Sequence, residues 1–263
     1  MPRSVWEKIA PLLPPAPPHP RGGRPRRDDR TILSGIFYPL RTGCQWKALP
    51  RPFGPASTVH ARFQEWTRAG VFDRFHAAGL LHYDARHGIA WGWQSADGTM
   101  TKAPLGGEAT GPNPTDRGKS GTKRSLLSDG RGQPLSVAVA GANVNDHLLL
   151  AKTLDSIPVP RPLPTPQDPH HLWWTRVTTI RVSPRSCRNE TTPLTCGRVA
   201  RRPSPSATSL GYRARRWVVE RTHSWINRFR RLLVRWEKKV ENYLALLKLA
   251  FTWHLFRAAG ICD

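Results

Sequence analysis

Apolar residues recur at helical spacing through the first third of the chain. SVWEKIAPLL at 4–13 reads as a short helix stopped by Pro14, Pro15, Pro17 and Pro18. Ile32, Leu33, Ile36, Phe37 and Leu40 predict a second helix, capped by Asp28 or Asp29 and ending at Gly43. Val59, Phe63 and Trp66, spaced i, i+4, i+7 after Pro55, predict a third ending at Gly70, and Val71, Phe72, Phe75 and Leu80 a fourth. Cys44, Trp46 and Leu49 are expected to plug the core these helices make. From Ile89 the period changes. Trp91 and Trp93 alternate into a strand, with Asp97 expected at its end, and a Gly-, Asn- and Pro-rich loop covers 106–121. TKRSLLSD and PLSVAVAGA form a hairpin turning at Asp129-Gly130-Arg131-Gly132, and DHLLLAKTLDSI is a helix with Asp146 as its cap. Gly211–Lys239 reads as one long helix. Its apolar stripe is Val218, Trp225, Phe229, Leu232 and Trp236, and the opposite face sets Glu220 among Arg213, Arg216, Arg231 and Lys238. Val240, Tyr243, Leu244, Leu247, Phe251 and Leu255 give a last helix that packs back on the core.

This order divides the chain into a helical part, 1–85, and an α/β part, 86–263. A strand, two hairpin strands, a helix and a later helix bearing an acid is the order of an RNase H-like mixed sheet with flanking helices. Compact helices after the basic loop RGGRPRRDDR suit a helix-turn-helix-like DNA reader, and equally a plain bundle with a charged loop.

Charge narrows the partner. The 263 residues carry a formal net charge of +23, and positions 201–240 hold twelve Lys and Arg against Glu220 and Glu237. Clustered charge of that kind binds phosphate backbones by releasing condensed counterions. Double-stranded DNA is therefore the expected partner. No apolar run approaches the roughly 20 residues that span a bilayer, so no membrane is expected. The four cysteines lie far apart without CxxC pairs, which argues against zinc or a disulfide framework and for a reducing, cytoplasmic setting. Glu220 has two readings. It makes an i,i+4 pair with Arg216, or it holds a divalent metal at a phosphodiester while the arginines hold the backbone. His170, His171 and His223 form no metal-binding spacing and are read as incidental.

The motifs GRPRRDDRTILSGIFYPLRTGCQWKALP, WQSADGTMTKAP, GQPLSVAVAGANVNDH and RRWVVERTHSWINRFRRLLVRWEKK, followed by ENYLALLKLA, carry a resemblance. In that order they resemble the bacterial insertion-sequence transposases of the DDE group that have a helical N-terminal domain. The resemblance covers 1 to about 160 and about 210 to 263. It implies Asp97 and Glu220 as catalytic, metal-binding acids, with Mg²⁺ or Mn²⁺ supplying two-metal phosphoryl transfer. It implies that Arg216, Arg221 and Arg228 contact DNA beside the acid; Arg24, Arg26, Arg27 and Arg231 join them as candidate DNA contacts. It further implies strand cleavage and transfer at terminal inverted repeats, homo-oligomers on paired ends, and a nucleoid-associated protein. The tyrosine and basic residues around the glutamate, Tyr212 and Arg228, stand near but not at the family's offsets.

The pattern breaks between about 165 and 210. The family's third acid, in a strand followed by a motif like Asp-Lys-Gly-Tyr-Asp, is missing. The segment has no strand-like alternation and is expected to be disordered or scrambled. Asp168 and Glu190 are poor substitutes, one among prolines and one inside the altered stretch. Trp173 to Ile180 can be encoded so that a frame two nucleotides later reads Val-Asp-Lys-Gly-Tyr-Asp-Tyr, and Cys196 to Arg202 at the same offset can yield Arg-Ala-Arg-Gly-Glu-Glu. A compensated frameshift accounts for both; codon degeneracy alone is the competing account. The expectation is a copy with impaired strand transfer and one core strand lost. Two readings without catalysis stand beside it: a DNA-binding protein that still occupies element ends, and a basic RNA-binding protein that uses Trp217, Trp225, Phe229 and Trp236 as stacking groups.

Overall fold

A computed structural model describes residues 1–16, 25–174, 178–181 and 217–262, in two compact units. The first unit comprises Met1–His87, Lys102–Glu108 and Ile226–Asp263; the second comprises Gly88–Thr101 and Ala109–Trp225.

The helical unit is built as the apolar spacing requires. Helices α1 (Arg3–Ile9), α2 (Asp29–Thr42), α3 (Ala56–Arg68) and α4 (Val71–His87) bury Val5, Ile32, Leu33, Ile36, Val59, Phe63, Trp66 and Phe75. Asp28, the N-cap of α2, accepts the Thr31 N–H at 2.8 Å, and Gly43 ends the helix in the left-handed region at φ 78°. Helix α1 is shorter than expected because its last turn, Ala10–Leu12, tightens into a 3₁₀ turn at Pro11. The last helix, α7 (Val240–Ala258), packs along α4, where Gly79 lets Leu255 and Thr252 approach closely. Leu49 is buried as a plug, whereas Cys44 and Trp46 are half-buried.

The second unit holds the sheet. Strands β1 (Trp93–Lys102), β2 (Gly111–Pro112), β3 (Ser120–Asp129), β4 (Pro134–Gly141), β5 (His171–Trp174) and β6 (Thr178–Arg181) run in the order β2-β3-β1-β5-β6, with β4 also on β3. β3 and β4 form the antiparallel hairpin, β5 lies parallel to β1, and β6 returns antiparallel to β5. The mixed sheet with α5 (Asp146–Asp155) against β3 and β4 is RNase H-like.

Four sequence expectations need correction. Asp97 lies in the middle of β1, not at its end, because β1 continues through Lys102. Helix α5 is capped by Asn145, whose side chain accepts the His147 N–H, while Asp146 pairs instead with Lys123 at 2.8 Å. The expected helix over 211–239 is, in its described part, α6 (Trp217–Asn227), followed by a 3₁₀ turn at Arg230–Leu232 and extended chain. Phe229 leaves helical geometry at ψ 93° and sets its ring edge-on to Phe37, so Trp236 never joins an apolar stripe and stays 42% exposed. The fourth concerns the altered segment. Leu172 and Trp174 are buried while His171 and Trp173 are half-exposed, a period-two pattern, and these residues pair with β1. That core strand is present.

Candidate functional site

In the second unit the β3–β4 turn positions the acid-bearing helix. Asp129 accepts N–H groups from Arg131 at 2.9 Å, Gln133 at 2.8 Å and Ala90 at 3.2 Å, which fixes the turn. Burial pushes its carboxyl above the usual range, against the pull of those hydrogen bonds and Arg131. The turn carbonyls then receive α6. Thr222 donates to the Gly132 carbonyl at 2.7 Å, and the Arg221 guanidinium donates to the Arg131 carbonyl at 2.7 Å. Gly132, at φ 85°, lies against both side chains. Val218 and Val219 bury the inner face of the helix.

With α6 so held, His223 reaches β1. Its Nε2 lies 3.9 Å from Asp97 Oδ2. The ring is 6% exposed. Burial first, then the nearby Arg124 charge, lowers its pKa to about 3, with the Asp97 backbone opposing the shift. The imidazole is therefore neutral at pH 7, and the contact with Asp97 is polar packing rather than an ion pair. Glu220 sits three residues earlier on the same helix, hence on a neighbouring part of the same face, and is exposed. A third carboxylate is close by: Asp146 Oδ1 would stand 2.9 Å from a Cβ added to Gly98, but Lys123 neutralises it and also donates to the Val144 carbonyl.

The candidate arginines fall into different settings. Arg221 is stacked between the rings of Trp217 and Trp225, 4.7 Å from each centroid. Arg228 is exposed, and its carbonyl accepts from Arg41. Arg26 pairs with Glu65 at 2.6 Å, and Arg27 donates to the Pro52 carbonyl at 2.6 Å. Arg231 is buried, with Nε and Nη2 both on Glu237 Oε1 at 2.9 Å and Nη1 on the Cys44 carbonyl. Arg24, Arg216 and Glu190 lie outside the described residues. Asp168 is exposed, outside the strands. One histidine on a helix carries no spacing signal, so the sequence does not single out His223. Its place opposite Asp97 depends on a tertiary contact.

Residues 1–76 match the family described as "Putative transposase of IS4/5 family (DUF4096)". Over 157 residues, 57% of this chain and 71% of the relative, the chain is 38% identical to "Putative transposase for insertion sequence element IS402" from Burkholderia cepacia. The chain belongs to the insertion-sequence transposases. This transposase chain is also 35% identical over 116 residues to "Insertion element IS402 uncharacterized 16.2 kDa protein" of the same organism, covering 42% of the chain and 78% of that protein. It is 29% identical over 98 residues to "Uncharacterized protein y4sN" from Sinorhizobium fredii (strain NBRC 101917 / NGR234), 37% of the chain and 72% of the relative. No solved structure matches it. No helix among the described residues is long and apolar enough to cross a membrane.

Transposases generally use divalent metal ions. The sequence reading assigns such an ion to Asp97 and Glu220, where the cation would supply Lewis-acid stabilisation of a phosphodiester. Among the described residues, however, no group of three or more His, Cys, Asp or Glu is gathered to hold a metal ion. Asp146, the first residue of α5, whose Oδ1 lies against Gly98, is paired with Lys123. The described donor set does not fit a two-metal centre.

Proposed function

We propose that this chain binds the ends of its insertion element as a DDE-lineage transposase whose strand cleavage and transfer are impaired. The observation that carries the reading is Asp97 on β1 meeting His223 of the helix that bears Glu220, while among the described residues no group of three or more His, Cys, Asp or Glu is gathered to hold a metal ion. The surviving chemistry is electrostatic. Arg228 after α6 and Arg27 ahead of α2, both exposed, present cations to a phosphate backbone, while Arg221, held by Trp217 and Trp225, and Arg26, paired with Glu65, stand beside them. A frame displaced after about codon 165 and restored before Gly211 accounts for the incomplete set. The parallel register ends at Ala96↔Trp174. In the displaced frame the aspartate falls across codons 174 and 175, so a frame-restored strand keeping that register would bring a carboxylate beside Asp97. The N-terminal helices serve as the end-reading part, and two copies acting on paired ends remain part of the reading. The gene's codons from about 165 to 212 test the frame directly: a sequence that does not spell Val-Asp-Lys-Gly-Tyr-Asp-Tyr at that offset overturns it. DNA binding is tested with duplexes carrying the element's ends. Tight binding that weakens steeply with salt and is unchanged by Asp97→Ala is expected, and binding indifferent to salt would refute it.

A further inference from the structure

Within the helical unit, α3 carries an outward face unlike those of its neighbours. Val59, Arg62, Phe63 and Trp66 are buried on one side of the helix, where Val59 packs against α2 at Gly35. The opposite stripe is Ser57, Ala61, Gln64 and Arg68, spaced i, i+4, i+7 and i+11. Gln64 is half-buried and the other three are exposed. The stripe contains no acid. Glu65, the one acid of α3, is held at its flank by Arg26 at 2.6 Å and Arg62 at 3.4 Å. The other helices of the unit offer nothing equivalent. Helix α2 exposes Arg41 alone, α4 exposes Asp73, Leu81 and Asp84, and α7 exposes Glu241 and Arg257.

Cations flank the α3 stripe on two sides. Ahead of the helix, Arg51 is exposed, and exposed Arg27 lies over Gly54 while donating to the Pro52 carbonyl at 2.6 Å. Farther along, exposed Lys238 and Lys239 line one cleft with His60 and Gln64 of α3. An uncharged polar stripe between cations matches the major groove of B-form DNA. That groove is about 12 Å wide and admits a helix roughly 10–12 Å across, with base edges on its floor and phosphates along both walls.

We propose that α3 is a recognition helix that enters the major groove of the element's end. Ser57, Ala61 and Gln64 meet base edges, and Arg27, Arg51, Lys238 and Lys239 meet the flanking phosphates. Gln64 reads an adenine, since its carboxamide accepts from the N6 amino group while donating to N7. Ala61 packs on a thymine methyl, and Ser57 serves either donor or acceptor. This rests on the reading of the chain as a transposase that binds its element's ends, and adds which surface distinguishes their sequence.

The test is fluorescence anisotropy of the full chain at about 150 mM salt. Two labelled duplexes are compared, one carrying the element's end and one of the same composition in scrambled order. The end duplex is expected to bind about a hundredfold more tightly. Gln64→Ala should weaken the end duplex about tenfold and leave the scrambled one within about twofold. Replacing the adenines of the end singly by 7-deazaadenine, which lacks the N7 acceptor, should cost this chain about tenfold at one position and cost Gln64→Ala nothing there. Lys238→Ala with Lys239→Ala should weaken both duplexes alike, and Leu81→Ala, on the exposed face of α4, neither. Equal, salt-sensitive binding of both duplexes would overturn the recognition helix and leave the DNA-binding reading standing. No binding of either would overturn both. A preference for the end that is undiminished in Ser57→Ala and Gln64→Ala would place the reading on another element and overturn the assignment of α3.

Discussion

His223 shows how one side chain couples burial to pH. Its folded pKa of about 3 lies below the value of about 6.5 expected in the unfolded chain. Between those values the unfolded chain takes up a proton that the folded chain declines. The stability this residue contributes is therefore whole above about pH 6.5 and is lost as pH falls toward 3, at up to about 1.4 kcal/mol per pH unit. Denaturant titrations from pH 7 to pH 4.5 should show that slope, reduced by about one proton in His223→Phe; an unchanged slope would show that the ring is not held neutral. A second buried group gives a larger effect. Glu237 is the sole carboxylate on Arg231 among the described residues, and Arg235 beside it is 1% exposed, donating to the Glu237 and Glu108 carbonyls. Removing one partner of a buried pair costs about 3–5 kcal/mol because the other charge is stranded. Glu237→Ala should lower the unfolding midpoint of the helical unit by that equivalent, and a loss below about 1 kcal/mol would mean that Arg231 finds water instead.

Among elements, the β3–β4 turn and α6 act as a pair, since the turn's carbonyls accept the helix's Thr222 and Arg221. Gly132 adopts φ 85° with Thr222 Oγ1 and an Arg221 nitrogen 3.2 Å from where a Cβ would stand. Gly132→Ala should therefore cost about 1–3 kcal/mol in thermal unfolding, and a neutral result would show that the turn does not hold the helix. Much of this was legible beforehand. Asp28 and Gly43 bound α2 because capping and left-handed geometry are local demands, and the hairpin was marked by Asp129 and three residues of turn chemistry. What was not legible depended on partners remote in sequence. Phe229 breaks the long basic helix because Phe37 is there to receive it. Asp146 leaves the cap to Asn145 because Lys123 competes for it. The strand at 171–174 looked irregular since its two tryptophans fall on both faces, and only pairing with β1 distinguishes them.

For the molecule as a whole, the proposed function has the net charge of +23 set affinity for DNA and the acids set whether that affinity leads to chemistry. The charge was plain from composition, as was the membership that motif order implied. Which arginines face outward was not. Arg231 is turned inward by Glu237 and Arg221 is clasped by two tryptophans, while Arg228 is exposed. Arg228→Ala should weaken binding to end duplexes without regard to sequence and reduce the slope of log affinity on log salt by about one; an unchanged slope would remove it from the interface. The most direct test of the central claim is a cleavage assay on duplexes carrying the element's ends, with Mg²⁺ or Mn²⁺, comparing this chain with one whose frame is restored across codons 165 to 212. The account predicts that this chain binds without cutting and that the restored chain cuts. Cleavage by this chain that disappears in Asp97→Ala would contradict it.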